Sequence, residues 1–533
     1  MAETVTLIFF LFTAIVILAM IAMRLRIPYA IMLVLGGLII AFIPGLPAIH
    51  INPDLILFVF LPPLIYSSAW QTSWREFHTN LRPILLLAIG LVLATTVLVA
   101  VASHFLIGLP WSVAFVLGAI ISPTDAVAAS ATAQSLGLPR RIVTILEGES
   151  MVNDATGLVI YRFAVAGVVT ASFSLWQAGL EFILVGVGSV LLGLAFAWLL
   201  ARLHHLLDEP TIEISITLLT PFAAYLLAEE LHGSGVLATL AAGLYLSRHS
   251  SRFFTSGTRL PAMAVWNTLA FQLNGFVFLL IGLALRDILE NLSLQQLPSL
   301  LGSVLLVSGA AIVIRLLLVF ASSYLPPVLN PRVNIGQIRS RWRSTALIGW
   351  TGLRGAVSLA AALALPLTLQ NGSPFPQRNL LIFLSFGVIL VTLVGQGLTL
   401  TPLIRLLGLK GDDSVNDERL QARKAATKAA IKRLDELRDA EWVSEDFFST
   451  LYDYYGRKLE QFDMFKQGEQ ADALHDHLNM NARLRREVLD AERAAIIKLR
   501  DNNSIDDEVL RTIERDLDLE EQRLSRSPAS TLT

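Results

Sequence analysis

The sequence contains no cysteine. Disulfides, thiol catalysis and cysteine-ligated zinc or iron–sulfur centres are therefore excluded. Charge is scarce too. Asp, Glu, Lys and Arg make up 16% of 533 residues, against 54% hydrophobic residues and a mean hydropathy of +0.61. A water-soluble chain of this length does not have that balance; an all-α polytopic membrane protein does. A secretory signal pattern is also missing. The first apolar run, TVTLIFFLFTAIVILAMIAM, has no basic residue before it and no small-residue cleavage site, so it is expected to stay as a span.

The net charge of −2 averages two unlike regions. More than half of the 41 Lys and Arg and 43 Asp and Glu residues lie after Leu409. Residues 1–409 read as a transmembrane domain and 410–533 as a cytoplasmic helical domain. The second region opens with NDERLQARKAATKAAIKRLDELRDAEW, amphipathic and helical by spacing. A second helical hairpin is expected from Glu445 to Arg500, and the final SRSPASTLT has the composition of disorder. The tail carries no Gly-rich phosphate loop and no metal-ligand cluster. It reads as a solvated appendage, with a regulatory or dimer-supporting role as the alternative.

Apolar runs of bilayer length number about thirteen. They fall near 4–23, 28–43, 53–73, 82–107, 111–134, 142–169, 176–203, 211–230, 233–247, 262–286, 299–322, 344–369 and 379–405. One alternate set of loops holds Arg24 and Arg26, Trp74–Arg75, Arg140–Arg141, Arg202, Arg248 and Arg252, Arg332 to Arg343, and Arg405. The other set, including GLPAIHINPD, TASFSL, EELHG, DILENLSLQQ and QNGSPFP, is almost free of positive charge. The excess of Lys and Arg places the first set in the cytoplasm. The N-terminus is then outside and the tail inside, as an odd number of spans requires.

An unpaired charge at the bilayer centre costs at least ~2.5–3.5 kcal/mol, so mid-span ionisable residues mark function. They are few: Asp125 in GAIISPTDAVAASAT, Glu149 and Asp154 in GESMVNDATG, Arg315 in AAIVIRLLLVF and Arg354 in LIGWTGLRGAVSLAAAL. Glu229 and Glu230 sit at a span end and read as a wet interface. Helical geometry sorts GESMVNDATG. Ser150 and Asp154 are i,i+4 and share one face; Glu149 and Asn153 share the next. Glu149 and Asp154 diverge by ~140°. Ser150 and Asp154 are placed to line a cavity, and Glu149 and Asn153 to face another helix. Arg315 is expected to pair with a neighbour or to snorkel to the cytoplasmic face. Arg354 has no such escape, and Glu149 is its expected carboxylate partner.

Two spans read as broken. SPTD puts Pro123 and short polar residues in the fifth, freeing carbonyls of the preceding turn. GLRG brackets Arg354 with glycines in the twelfth. Irregular backbone at membrane depth is tolerated only where protein buries it or a cavity is lined, and freed carbonyls there can coordinate a cation. The two spans are seven apart and hence oppositely oriented, as inverted repeats require.

At this point the sequence resembles the cation–proton antiporters, in the branch of NhaP-type bacterial sodium/proton antiporters and animal sodium/proton exchangers. The likeness is carried by LEGESMVNDATGLVIYR, SPTDAVAASA, GLRGAVSLAAAL, LPPLIYSSAW and HGSGVLATLAAGLYLSR, over roughly residues 5 to 407. It implies inverted six-helix repeats, two discontinuous helices crossing at the ion site, a mobile core domain and a homodimer. It places the ion-binding carboxylate on Asp154 and site support on Asn153. Further ligands fall on Thr124 (through its carbonyl), Asp125 and Ser150, and a buried ion bridge on Glu149 and Arg354. Where some relatives carry an acidic residue after LPP, this chain has Ser67 and Ser68.

The expected activity is exchange of sodium for protons across the cell membrane, with Asp154 holding one or the other but never both. Asn153 adds no titratable proton, so the resemblance implies electroneutral exchange. Sodium or lithium, protons, the lipid bilayer and a second copy of the chain are the expected partners. No cofactor, resident metal, catalytic residue or nucleic-acid partner is expected. A potassium or broad monovalent cation antiporter is the alternative, and a cation channel is the alternative of another class.

Overall fold

The computed structural model describes residues 2–25, 27–43, 56–170, 175–290, 297–329, 335–369, 372–409, 414–440, 442–467, 471–502 and 507–525. Arg26, Arg332, Lys410, the loop at 45–54 and the chain after Ser525, all named above, lie outside that set, as do parts of the loops at 171–174, 291–296 and 370–371. The described residues are helical throughout, apart from loops and an isolated bridge between Thr368 and Pro374. Two compact units form, Met1–Gly411 and Asp412–Thr533.

In the first unit the helices run α1 Ala2–Leu25, α2 Tyr29–Ala41, α3 Leu61–Gln71, α4 Trp74–Thr79 and α5 Leu81–Ile107. Then come α6 Trp111–Ile121, α7 Val127–Ser135, α8 Arg140–Thr170, α9 Leu175–His204 and α10 Pro210–Glu230. The series ends with α11 Gly235–Phe253, α12 Ser256–Glu290, α13 Leu297–Leu329, α14 Ile335–Trp350, α15 Ala356–Leu363 and α16 Arg378–Leu407. Seven described helices are long and apolar enough to cross a membrane: Leu81–Ile107, Arg140–Thr170, Ala178–His204, Pro210–Glu230, Ser256–Arg286, Pro298–Tyr324 and Arg378–Leu407.

Both expected breaks are present. The fifth span divides into α6 and α7 around Pro123. The twelfth divides into α14 and α15 around Arg354 and ends at Leu363, short of the expected 369. Pro366 accounts for that end. It lacks an amide donor and disfavours helical geometry at Leu365 before it. Single π-helical turns, Leu86–Leu91 in α5 and Val391–Gln396 in α16, were not signalled by the sequence.

Helices α5–α8 and α13–α16 pack mainly on one another, and α1–α3 and α9–α12 form a second group. The broken helices belong to the first group. The largest apolar core runs through both groups, with Leu117, Ile120, Phe278, Leu359 and Phe386 fully buried.

The second unit holds α17 Ser414–Leu437, α18 Glu445–Gln467, α19 Ala471–Asp501 and α20 Asp507–Ser525. The hairpin expected from Glu445 to Arg500 is corrected here. α18 and α19 fill that range, but α18 packs chiefly on α17 and α19 on α20. The cause is an apolar stripe on α20. Ile513 and Leu517 close over Leu489 and Ile496, and Arg493 reaches Asp518 at 2.7 Å and Glu521 at 2.9 Å.

Candidate ion-binding site

The two breaks meet. The Asp125 amide donates to the Leu353 carbonyl at 2.7 Å, so the interrupted backbones hydrogen-bond directly to each other. The Asp125 carboxylate accepts from the Val127 amide at 2.8 Å and so satisfies a free donor at the start of α7. The Ala126 amide donates to Ser150 Oγ at 3.2 Å, tying the same turn to α8.

The glycines of GLRG have separate reasons. A Cβ on Gly355 would collide with the Asp125 carboxylate. A Cβ on Gly352 would collide with the Arg315 side chain, which passes this point on its way to Glu149. Close approach of two partners therefore requires both positions to be glycine.

Behind the crossing lies a buried polar cluster. Arg315 Nη1 donates to Glu149 Oε1 at 2.6 Å and Nη2 to Oε2 at 3.1 Å. The two side chains are 3% and 2% exposed. Thr124 Oγ1 also donates to Glu149, at 3.2 Å. Asn153 Nδ2 donates to Thr124 Oγ1 at 2.8 Å and to its carbonyl at 3.2 Å. Glu149 and Asn153 thus face inward and hold the α6–α7 break in place.

This corrects the ion bridge expected between Glu149 and Arg354. The carboxylate is gripped by the fork of Arg315, and Arg354 receives only through-space attraction from it. Arg354, 1% exposed, instead gives Nε to the Ile121 carbonyl at 3.2 Å, Nη1 to the Gly352 carbonyl and its amide to Thr392 Oγ1 at 3.2 Å. Its cation sits on carbonyls freed where α6 and α14 stop, the negative ends of two helix dipoles. Helical facing had ruled Asp154 out as the partner, but it could not rank two arginines from different helices. The mid-span place of Arg315 was the available signal; snorkelling is not what it does.

In front of the crossing is a cavity of about 260 Å³. Thr124, Asp125, Ser150 and Asp154 all line it, as do Ser67 and Ser68, so the hydroxyls standing where some relatives have an acid do face this space. Asp125, Ser150 and Asp154 are half-buried. Among the described residues no hydrogen-bond partner of the Asp154 carboxylate is found, whereas that of Asp125 is engaged. Unforeseen lining residues include Tyr29, Gln134, Glu147, Asn274 and Ser358. Glu147 had a legible signal, since it lies i−7 from Asp154 on the same helical stripe; Gln134 donates to it at 3.0 Å. Thr392 had none, being an uncharged residue in an apolar run.

The cavity is one-sided. On α8 its lining runs from Glu147 to Asp154, on α7 as far as Gln134, on α3 as far as Gln71, and on α2 it includes Tyr29. Each of these elements leads from the crossing toward the loops that carry Arg24, Arg75, Arg140 and Arg141. The cavity also lies between the two helix groups, with α7, α8 and α15 on one wall and α2, α3 and α12 on the other.

Known proteins resemble this chain in sequence and in fold. The family described as "Sodium/hydrogen exchanger, transmembrane" matches residues 10–406. A protein of Mycobacterium tuberculosis named as an uncharacterised Na+/H+ exchanger is 34% identical over 522 residues, spanning 96% of this chain and 95% of that one. A Bacillus subtilis protein named as a sodium, potassium, lithium and rubidium/H+ antiporter is 32% identical over 499 residues, spanning 92% and 73%. Among solved structures, the sodium proton antiporter of Methanocaldococcus jannaschii superposes with a TM-score of 0.58 at 21% identity, covering 76% of this chain and all of that one. At that identity the likeness speaks for the fold. Matched along residues 10–406 by the family model and over nearly its whole length by relatives at 32–34% identity, this multi-pass helical chain belongs to the sodium/hydrogen exchanger family and is a cation/proton antiporter.

Proposed function

We propose that this chain exchanges sodium for protons, one for one, by competition at Asp154. The observation that carries the reading is the Asp154 carboxylate, without a hydrogen-bond partner among the described residues, facing a cavity at the crossing of the two breaks. Sodium prefers oxygen ligands. Asp154, Ser150, Asp125, the Thr124 carbonyl and water supply them, with Asn153 holding Thr124 from behind. A proton on Asp154 removes the charge that attracts the cation, so the two exclude each other. The core crosses with the site neutralised either way. When the site is empty, the cost of desolvating a bare carboxylate holds the core back. Obligatory exchange follows without a separate coupling part.

In this reading the chain crosses the cell membrane about thirteen times, in inverted six-helix repeats, as the span count and the resemblance imply. Its N-terminus is outside, its tail cytoplasmic, and it works as a homodimer. The cavity then faces the cytoplasm. Electroneutrality rests on Asn153, which cannot titrate and whose amide is occupied as a donor to Thr124.

A broader cation range is the second reading. A cavity of about 260 Å³ has room for several waters at ~30 Å³ each, so it does not select by a tight fit. The Bacillus subtilis relative carries four alkali cations in its name. Exchange in proteoliposomes, driven by sodium, lithium and potassium in turn, with and without a membrane potential, tests both. Sodium-driven pH change that does not respond to potential supports the proposal. Currents far above carrier rates would make the protein a channel.

A further inference from the structure

The motif run around Asp154 ends in Arg162, a residue the site does not use. Arg162 lies eight residues beyond Asp154 on α8, on the side away from the cavity. Its Nη2 donates to both oxygens of Glu229, each at 2.9 Å. Glu229 belongs to the last turn of α10, in the other helix group. It is held there independently of Arg162, because it also accepts from the Gly235 amide at 3.2 Å and so caps the start of α11. The turn between α10 and α11 is itself pinned, with the Ser234 amide on Ser189 Oγ at 2.7 Å and the Gly233 amide on the Ala228 carbonyl at 2.7 Å.

We propose that the Arg162–Glu229 pair is the latch that closes the far side of the ion pathway while the cavity is open on the near side. This rests on the exchange reading above. A carrier must open its site to each face in turn. The cavity lies between the two helix groups, and so does this ion pair, at the opposite end of α8. Exposing Asp154 to the far side therefore requires α8 to move against α10, which parts Arg162 from Glu229. The pair is about half-exposed on the Arg162 side, so its hold is modest. It sets the balance between the two orientations and does not lock one of them.

The absence of cysteine makes the test direct. Leu158 lies midway between Asp154 and Arg162, four residues from each, and is half-buried. A single Leu158→Cys in the full chain, reconstituted in membranes, is exposed to a membrane-impermeant maleimide added on the Arg162 side. Arg162→Gln and Glu229→Gln are expected to speed labelling by about two- to fivefold, the range an exposed ion pair supports. The glutamine at 229 keeps an acceptor for Gly235. The double variant should label no faster than either single, and Arg162→Lys should stay near the parent rate. Unchanged labelling in both singles, or additive acceleration in the double variant, overturns the latch. Labelling needs no transported ion, so failure of the sodium assay would discredit the exchange reading without touching this result.

Discussion

Arg315 holds Glu149 through both guanidinium Nη atoms, at 2.6 and 3.1 Å, in a place where neither side chain meets solvent. Breaking a buried pair leaves one charge uncompensated and costs about 3–5 kcal/mol. Arg315→Met and Glu149→Gln are each expected to lower thermal stability markedly, and the double variant should recover part of the loss. A thermal shift series on detergent-solubilised protein reads this; equal and additive losses would contradict the pairing.

Arg354 should behave differently. It shares no hydrogen bond with Glu149 and feels it only through space, so Arg354→Gln and Glu149→Gln should couple more weakly in a double-mutant cycle than Arg315→Gln and Glu149→Gln, which should couple by ~1–3 kcal/mol. Strong coupling for the first pair alone would restore the bridge expected from the sequence.

Asp154→Asn is expected to abolish sodium-driven proton movement while leaving the thermal transition near that of the parent. The side chain keeps its size and has no hydrogen bond to lose among the described residues. Retained exchange in proteoliposomes would remove Asp154 from its role.

Competition fixes the sign of the pH dependence. Protonated Asp154 cannot take the cation, so the apparent KM for sodium should rise as pH falls. The rise should approach about tenfold per unit once protons dominate the site. Initial rates across a sodium and pH grid measure it; a KM independent of pH would exclude a shared site.

Asn153→Asp is sometimes the obvious way to add a proton to such a site. Here Asn153 donates to Thr124 twice, at 2.8 and 3.2 Å, and a carboxylate cannot donate. The substitution also puts a second acid beside buried Glu149. Loss of stability and of transport is therefore expected, not potential-driven exchange; an active electrogenic variant would be the contrary result.

Much of this protein was legible in one dimension. Composition separated membrane from tail, because hydrocarbon admits few charges. Both breaks followed from Pro123 and the GLRG glycines. The i,i+4 rule split GESMVNDATG into a cavity face, Ser150 and Asp154, and a buried face, Glu149 and Asn153. All these signals are local: each lies within a few helical turns, where geometry fixes which side chains share a face.

What the sequence could not rank was the choice among partners far apart along the chain. Arg315 and Arg354 are both mid-span, and only the packing that carries the Arg315 side chain from α13 past Gly352 gives Glu149 to it. The same packing leaves Arg354 to the carbonyls at the ends of α6 and α14. The pairing in the tail was decided in the same way, by the apolar stripe of α20. Glycine at 352 and 355 was visible from the start. That one clears Arg315 and the other Asp125 depends on where two distant helices cross, and a crossing is a property of the folded chain.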